Sequence, residues 1–253
     1  MPFDKTKKIY RSSLDFFDGN PESSYSFDGI VLDGEQIVNE AICTTDTKVI
    51  GDVRFMEMVD SDSLIVTGVA EFKTFTTCDD LNVSGSAVFK DELLAESIVV
   101  SGGTSVNGKI NADVLIVEGK LKANSRVNAL SVSVSGYMSC LHKLSFDKCH
   151  ISGSLISTNI VKGMDIKFKS NSRSMIKRLI ADNVTAVGKP AEGSYILVCD
   201  EVDCDKAEIE YSKIDLLMCD SCVIGKGCNI GVLECRGDAE ISPDAYVEKI
   251  VKI

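Results

Sequence analysis

The chain has 253 residues, of which 44% are hydrophobic, and its formal net charge at neutral pH is −11. This length and apolar content are enough for a sizeable core, whereas the acidic charge argues against general nucleic-acid binding. The chain contains no run of about 20 apolar residues, so we predict no transmembrane helix. The first residues lack the apolar stretch of a signal peptide, so the sequence predicts a cytoplasmic protein.

Residues 1–24 precede a series of regularly spaced glycines and form the first predicted unit. Between Lys5 and Phe17, four basic residues mix with aromatic and aliphatic ones. We predict a short helix here that caps one end of a repeat structure, because an open end exposes unpaired backbone and apolar side chains. The alternatives are a tail without fixed structure and a peripheral membrane anchor, since basic and aromatic residues suit an anionic surface.

Regular coils are predicted over residues 25–170, with Tyr25 and Phe27 as the first core-facing side chains. A glycine recurs at every seventeenth position, and a fixed period of this kind indicates one structural unit stacked many times. Each glycine marks a corner, where it can take positive φ and leaves room for close stacking of turns. The eight glycines of this ladder are Gly34, Gly51, Gly68, Gly85, Gly102, Gly119, Gly136 and Gly153.

Apolar residues alternate with mixed residues on both sides of each ladder glycine. Core-facing columns fall two and four positions before it, two and four after it, and eight and ten after it. Period-2 alternation indicates short strands with one inward face. Three such strands in each period of the ladder predict an all-β, single-stranded, three-sided parallel β-helix. We expect it to be right-handed, because three sides of about six residues in a left-handed hexapeptide helix require about 18.

Two outward columns are candidate binding surfaces. The first column lies three positions before the glycine and contains four apolar residues. They form a possible interface, since an exposed apolar stripe can bury against a partner. Ordinary β-propensity is the alternative explanation. The second column lies seven positions after the glycine. It is either a set of stacked basic residues in contact with solvent or a binding stripe for an anionic polymer or surface. The first column contains Val31, Ile65, Val99 and Ile116, and the second Lys109, Arg126 and Lys143.

The period fails after Ser170, the next address of the ladder. Residues 171–195 contain several basic residues together with Gly188, Pro190 and Gly193. We predict an irregular joint or bulge in this segment, within which one coil continues at a step of 18, one more than the step of the ladder. The two residues that keep this coil in register are Val184 and Ala186.

Coils are predicted to resume over residues 196–253, for about 13 coils in all. In this register, Leu233 lies one period of the glycine ladder after Leu216, and Ile250 lies one further period after Leu233. The predicted inward pairs are Leu197 with Cys199, Leu216 with Met218, and Leu233 with Cys235.

Ten cysteines occur in the chain, and their positions favour a structural role. Cys219-x-x-Cys222 has the spacing of zinc and redox motifs, but in the predicted register Cys219 points out and Cys222 points in, so their sulfurs diverge. We therefore predict buried structural thiols, with no metal site and no cofactor. The predicted inward cysteines are Cys78, Cys140, Cys149, Cys199, Cys222, Cys228 and Cys235.

Signatures of catalysis are absent from the sequence. It contains no Gly-rich phosphate loop, no G-x-S-x-G and no H-E-x-x-H, and neither His142 nor His150 lies near a plausible nucleophile. Eight successive repeats have no insertion that could wall a cleft. We predict a protein that is not an enzyme and has no catalytic residues. A hexapeptide-like transferase, suggested by Ile224 to Gly231, and a carbohydrate-active β-helix are the enzymatic alternatives.

The V-x-G repeats, the uniform coils and the C-terminal run IGKGCNIGVLECRGDAEISPDAYVEKIVKI resemble the bactofilins, the polymer-forming cytoskeletal proteins of bacteria. The resemblance spans about residues 25–253 and is greatest to the longer type of Gram-positive bacteria. It implies a right-handed β-helix that assembles end to end without nucleotide. It also implies a scaffold role in cell shape or envelope organisation, with envelope or cell-wall proteins as partners and a peripheral position on the inner face of the membrane. A monomeric or dimeric adaptor for a protein partner is the alternative function.

Overall fold

The computed structural model describes residues 8–11 and 29–252, and these form a parallel β-solenoid of about 13 coils. Within the described residues every regular element is a strand, and all pairings except the first are parallel. The all-β parallel solenoid with coils of about 17 residues is therefore confirmed. Its core is one continuous cluster of apolar side chains, formed by the inward columns of the stacked coils.

The N-terminal end of the solenoid begins with β1 (Lys8–Arg11), β2 (Ile30–Asp33) and β3 (Glu35–Val38). β1 pairs antiparallel with β2, and its residues therefore form a strand rather than the predicted helix. The physical reason is the free edge of β2, whose unpaired amides and carbonyls a strand can satisfy and a helix cannot. The expected positions of Tyr25 and Phe27 lie outside the described residues.

Coils of uniform length follow, each built from one eight-residue strand and one four-residue strand. The longer strands cover two sides of the coil and bend at one residue, such as Glu96, that is skipped in the pairing register. The eight-residue strands are β4 (Ile42–Val49), β6 (Val59–Val66), β8 (Thr76–Val83), β10 (Leu93–Val100), β12 (Ile110–Val117) and β14 (Val127–Val134). The four-residue strands are β5 (Asp52–Phe55), β7 (Val69–Phe72), β9 (Ser86–Phe89), β11 (Gly103–Val106), β13 (Lys120–Ala123) and β15 (Tyr137–Cys140).

The remaining strands are less uniform and range from 2 to 16 residues. They are β16 (Leu144–Ser145), β17 (Lys148–Ile151), β18 (Ser154–Lys169), β19 (Ser174–Val187), β20 (Leu197–Ile209), β21 (Ser212–Ile224), β22 (Asn229–Cys235), β23 (Ala239–Ile241) and β24 (Tyr246–Lys252). β19 occupies much of the segment expected to be irregular, and the loop between β19 and β20 covers only residues 188–196. The predicted step of 18 is confirmed, because Ile166 pairs with Val184 and Phe168 with Ala186.

The predicted register of a later coil is wrong by one residue. Leu217 and Cys219 face the core, whereas Leu216 and Met218 lie on the outer face. Leu217 pairs with Leu233, so the coil between these two residues is one residue shorter than the coil predicted between Leu216 and Leu233. The corner between Ile230 and Leu233 is one residue shorter than its equivalents in the uniform coils. A shift of one residue exchanges the two faces of a strand.

Close stacking explains the glycine ladder. Among its members only Gly34 has a positive φ, at 78°. At the others, an added Cβ would overlap backbone atoms of the coil below; at Gly102 it would overlap the carbonyl oxygen of Gly85. The corners therefore need glycine mainly for the space that it leaves, since a side chain there would push successive coils apart.

Aromatic stacking fills the first part of the core. The rings of Phe55, Phe72 and Phe89 lie in consecutive coils, nearly parallel, with centroids 4.7 and 4.5 Å apart. All three side chains are fully buried. The same inward column then holds Val106, Ala123 and Cys140, so the volume filled by this side of the coil decreases along the chain.

Candidate functional site

The regular coils present their predicted surface residues singly or in interrupted columns. Val31, Ile65, Val99 and Ile116 share one outward column and are partly exposed, but Lys48 separates the first two and Asn82 the next two. Only Val99 and Ile116 are direct neighbours. The column is thus no continuous apolar stripe, and its role as an interface stays a prediction.

The remaining surface candidates are exposed. The basic column of Lys109, Arg126 and Lys143 faces solvent, and so do His142 and His150. Another outward group forms an ionic network in which Glu71 contacts Lys73 at 2.7 Å and Arg54 at 2.9 Å. The hydrogen bond from Lys73 is the main reason that the pKa of Glu71 lies below its usual value. Such surface networks stabilise a fold weakly.

The C-terminal end exposes the core of the solenoid. Ile241, Val247 and Ile250 continue inward columns on the three sides of the coil, above Ile224, Ile230 and Leu233 respectively. Ile241 is 37% exposed and Ile250 is 57% exposed, because no further coil covers them within the described residues. The outer edge of β24 likewise has no strand partner among those residues. This end therefore offers both an apolar surface and unpaired backbone groups.

Among the described residues, a strand covers the N-terminal end on one of its three sides. There β1 lies along β2 in antiparallel orientation, from Lys8 opposite Asp33 to Arg11 opposite Ile30. Leu32, the inward residue of β2, is only 2% exposed. The two ends of the solenoid consequently differ in the apolar area and the strand edges that they present.

Three cysteines converge inside the wall near the C-terminal end. The sulfur atoms of Cys219, Cys222 and Cys235 all lie within 4.8 Å of one another, and each side chain is at most 5% exposed. The expectation that the sulfurs of Cys219 and Cys222 diverge is therefore wrong. Between them, Asp220 and Ser221 both occupy the outside of the bend, so strict alternation is interrupted and both cysteines point inward. The predicted inward positions of the other cysteines are confirmed.

The cluster thiols influence one another. A hydrogen bond between the Cys219 and Cys222 side chains is the largest influence on both, raising the pKa of Cys219 and lowering the pKa of Cys222. Cys204 pairs in register with Cys219, and burial raises its pKa to about 12. Cys235 donates to the carbonyl oxygens of Asp220 and Asp238 at 3.6 Å. These four cysteines bring nucleophilic, metal-ligating sulfur into one corner of the solenoid.

The sequence signal for this cluster was the Cys-x-x-Cys spacing itself, which an incorrect register led us to discount. Cys235 carried no such signal, because it reaches the cluster only by stacking one coil above Cys219. Cys204 reaches the neighbouring place by the same route from the coil below.

Comparison of the chain with protein-family models, with curated proteins and with solved structures found no match. The class that the structure defines is the parallel β-solenoid, which is compatible with a β-helix family. Within the described residues, no helix has the length and apolarity needed to cross a membrane.

Proposed function

We propose that the chain is a non-enzymatic scaffold that self-assembles through the C-terminal end of its solenoid. The observation that carries this proposal is the exposed core of the last coil, where Ile241, Val247 and Ile250 continue inward columns that no further coil covers among the described residues. Burying these side chains against a matching surface is favourable. Pairing of the β24 edge adds backbone hydrogen bonds.

The favoured partner is the same end of a second copy. A matching end presents the same three-sided arrangement of strands and apolar side chains, so the contact is self-complementary about a twofold axis. Contact with the N-terminal end is less favourable, because β1 occupies the edge of β2 there. A head-to-tail contact would first have to displace that strand.

The resemblance to bactofilins extends this proposal to the cell. It supports a cytoskeletal scaffold that contributes to cell shape or envelope organisation, at the inner face of the membrane and with envelope or cell-wall proteins as partners. The regular coils support a structural role as well, because their outer faces carry short corners rather than the long loops that wall a substrate cleft.

Light scattering coupled to size-exclusion chromatography tests this function. We expect the full chain to associate as its concentration rises, and negative-stain microscopy to show rods joined at their ends. Ile250→Asp places a charge in the proposed contact and should weaken association by at least about tenfold, since an unpaired charge is costly to bury.

The matched control is Leu130→Asp, which changes a residue of similar exposure, 54%, in the middle of the rod. It should leave association unchanged. A wild-type chain that stays monomeric at every concentration would contradict the proposal, as would an equal effect of the two variants. A stoichiometric complex with a different protein, without self-association, would favour the adaptor alternative.

A further inference from the structure

We propose that Cys219, Cys222 and Cys235 bind a thiophilic metal ion of the Zn²⁺ class in the wall of the solenoid. The inference rests on the convergence of three buried sulfurs, and it does not depend on self-assembly. Sulfur is the preferred protein ligand of such ions, and cysteines that supply it converge from positions that need not be close in sequence.

The distances suit an ion of this class. A zinc–sulfur bond of about 2.3 Å in tetrahedral geometry places the ligand sulfurs about 3.8 Å apart. The three sulfurs already lie within 4.8 Å of one another. Shifts of less than about 1 Å, within the range of side-chain rotation, bring them to ligand spacing. The backbone around them is regular paired strand, which holds the three Cα positions in place.

Cys204 is the candidate for a fourth ligand, although its sulfur is not one of those that lie within 4.8 Å of one another and would have to move toward them. It stacks directly below Cys219 in the same inward column and is buried, with 7% exposure. Structural zinc sites are almost always four-coordinate, and four cysteines form one of the common ligand sets. Binding to four thiols would release four protons and leave a site with a net charge of −2.

A bound ion would tie together the coils of β20, β21 and β22. Cys204, Cys219 and Cys235 belong to these three consecutive strands, and Cys222 lies across the bend from Cys219. Cross-links between coils are valuable in this region, because the last coil lacks a covering neighbour among the described residues. The proposed site therefore stabilises the final coils of the solenoid.

Metal titration of the full chain tests the inference. The protein is reduced with a phosphine, freed of metal by a chelator, and titrated with Co²⁺ and then Zn²⁺. We expect one Co²⁺ per chain with thiolate-to-cobalt charge-transfer absorption, which Zn²⁺ displaces, and a higher unfolding temperature with Zn²⁺. Cys222→Ser should weaken binding by at least about tenfold, because it removes one thiolate ligand. Cys204→Ser should change the cobalt spectrum if it is the fourth ligand.

Two control variants separate the cluster from other thiols. Cys43→Ser removes the one exposed cysteine of the described chain, and Cys199→Ala removes a buried cysteine of a different inward column. Both should keep the cobalt spectrum. An absent charge-transfer band, or an unchanged band in Cys222→Ser, would overturn the inference. So would a disulfide between Cys219 and Cys222 in protein isolated under thiol-blocking conditions.

A measurement on the wild type decides the case if Cys222→Ser does not fold. Thiols are alkylated in partly denatured protein with and without Zn²⁺, and the modified peptides are identified by mass spectrometry. We expect Zn²⁺ to slow modification of Cys219, Cys222 and Cys235 and to leave the relative rates at Cys78 and Cys149 unchanged. Equal protection of all five would refute a local site.

Discussion

The coils before and after residue 170 stack by the same rule but turn their corners differently. Up to Gly153 each inward residue lies over its equivalent 17 positions earlier. Beyond it the spacing varies: Val161 pairs with Leu179, Leu179 with Val202, and Val202 with Leu217, at steps of 18, 23 and 15. The inward columns nevertheless remain continuous. Burial of apolar side chains therefore fixes which residues face inward, whereas the length of the corners can vary.

The two regions also fill their cores with different side chains. The uniform coils stack Phe55, Phe72 and Phe89 face to face, and their corners depend on glycine. The later coils use cysteine, alanine and isoleucine, and one corner is turned by Tyr211, which has a φ of 44°. Truncation of a fully buried phenylalanine leaves a larger cavity than truncation of a cysteine, so we expect it to cost more.

The largest expected effect is the loss of an aromatic ring from the uniform region. Phe72→Ala removes a fully buried ring from between two others and should lower the free energy of unfolding by about 3–5 kcal/mol. Cys199→Ala, in an inward column of the later coils, should cost about 1 kcal/mol. Chemical denaturation of both variants measures the difference. Equal losses would show that the two regions do not differ in this respect.

A smaller effect is expected at the corner glycines. In Gly102→Ala the added methyl group would overlap the carbonyl oxygen of Gly85, and relief requires the coils to separate; we expect a loss of about 1–3 kcal/mol. Gly103→Ala is the matched control, because a Cβ there meets no atom within 4 Å. It should be neutral or stabilise by about 0.4–1 kcal/mol. Thermal unfolding compares the two, and a neutral Gly102→Ala would mean that close stacking does not require glycine.

The smallest expected effect concerns pH and the buried thiols of the later coils. Burial raises the pKa of Cys199 to about 12, whereas an unfolded thiol titrates near about 8.5. The unfolded chain thus loses this proton first, so stability falls as the pH rises from about 8.5 towards 12. Between pH 8 and pH 10, wild type should lose about 1.5–2 kcal/mol more than Cys199→Ala. Unfolding curves at both pH values measure this, and equal losses would refute the shift.

How far the sequence predicts this structure depends on the regularity of each segment. From Gly34 to Gly153 the glycine period and the alternation determine the faces, because every coil repeats the same short-range pattern. In β21 the same reasoning failed by one residue, because the corner between Ile230 and Leu233 is one residue short and the glycine in it, Gly231, does not mark its length. The strand formed by Lys8 to Arg11 was also missed, because its conformation depends on the free edge of β2 and not on local propensity.

The candidate sites, too, were visible in the sequence only as far as local patterns reach. The Cys-x-x-Cys motif was visible in the sequence, but its geometry depended on the bend at Asp220 and Ser221. The participation of Cys235 depended on stacking between coils. The apolar column of Val99 and Ile116 was placed correctly on the outside, although neighbouring coils interrupt it with polar side chains.

The sequence by itself determined that this chain is a parallel solenoid with coils of about 17 residues and cysteines in its core. It could do so because inward-facing residues must recur with the period of the coil. Only the tertiary structure decided the register after the loop at 188–196, the strand that covers the N-terminal end, the exposed core at the other end and the meeting of Cys219, Cys222 and Cys235. These features arise from contacts between successive coils, and the spacing of residues along one coil does not encode such contacts.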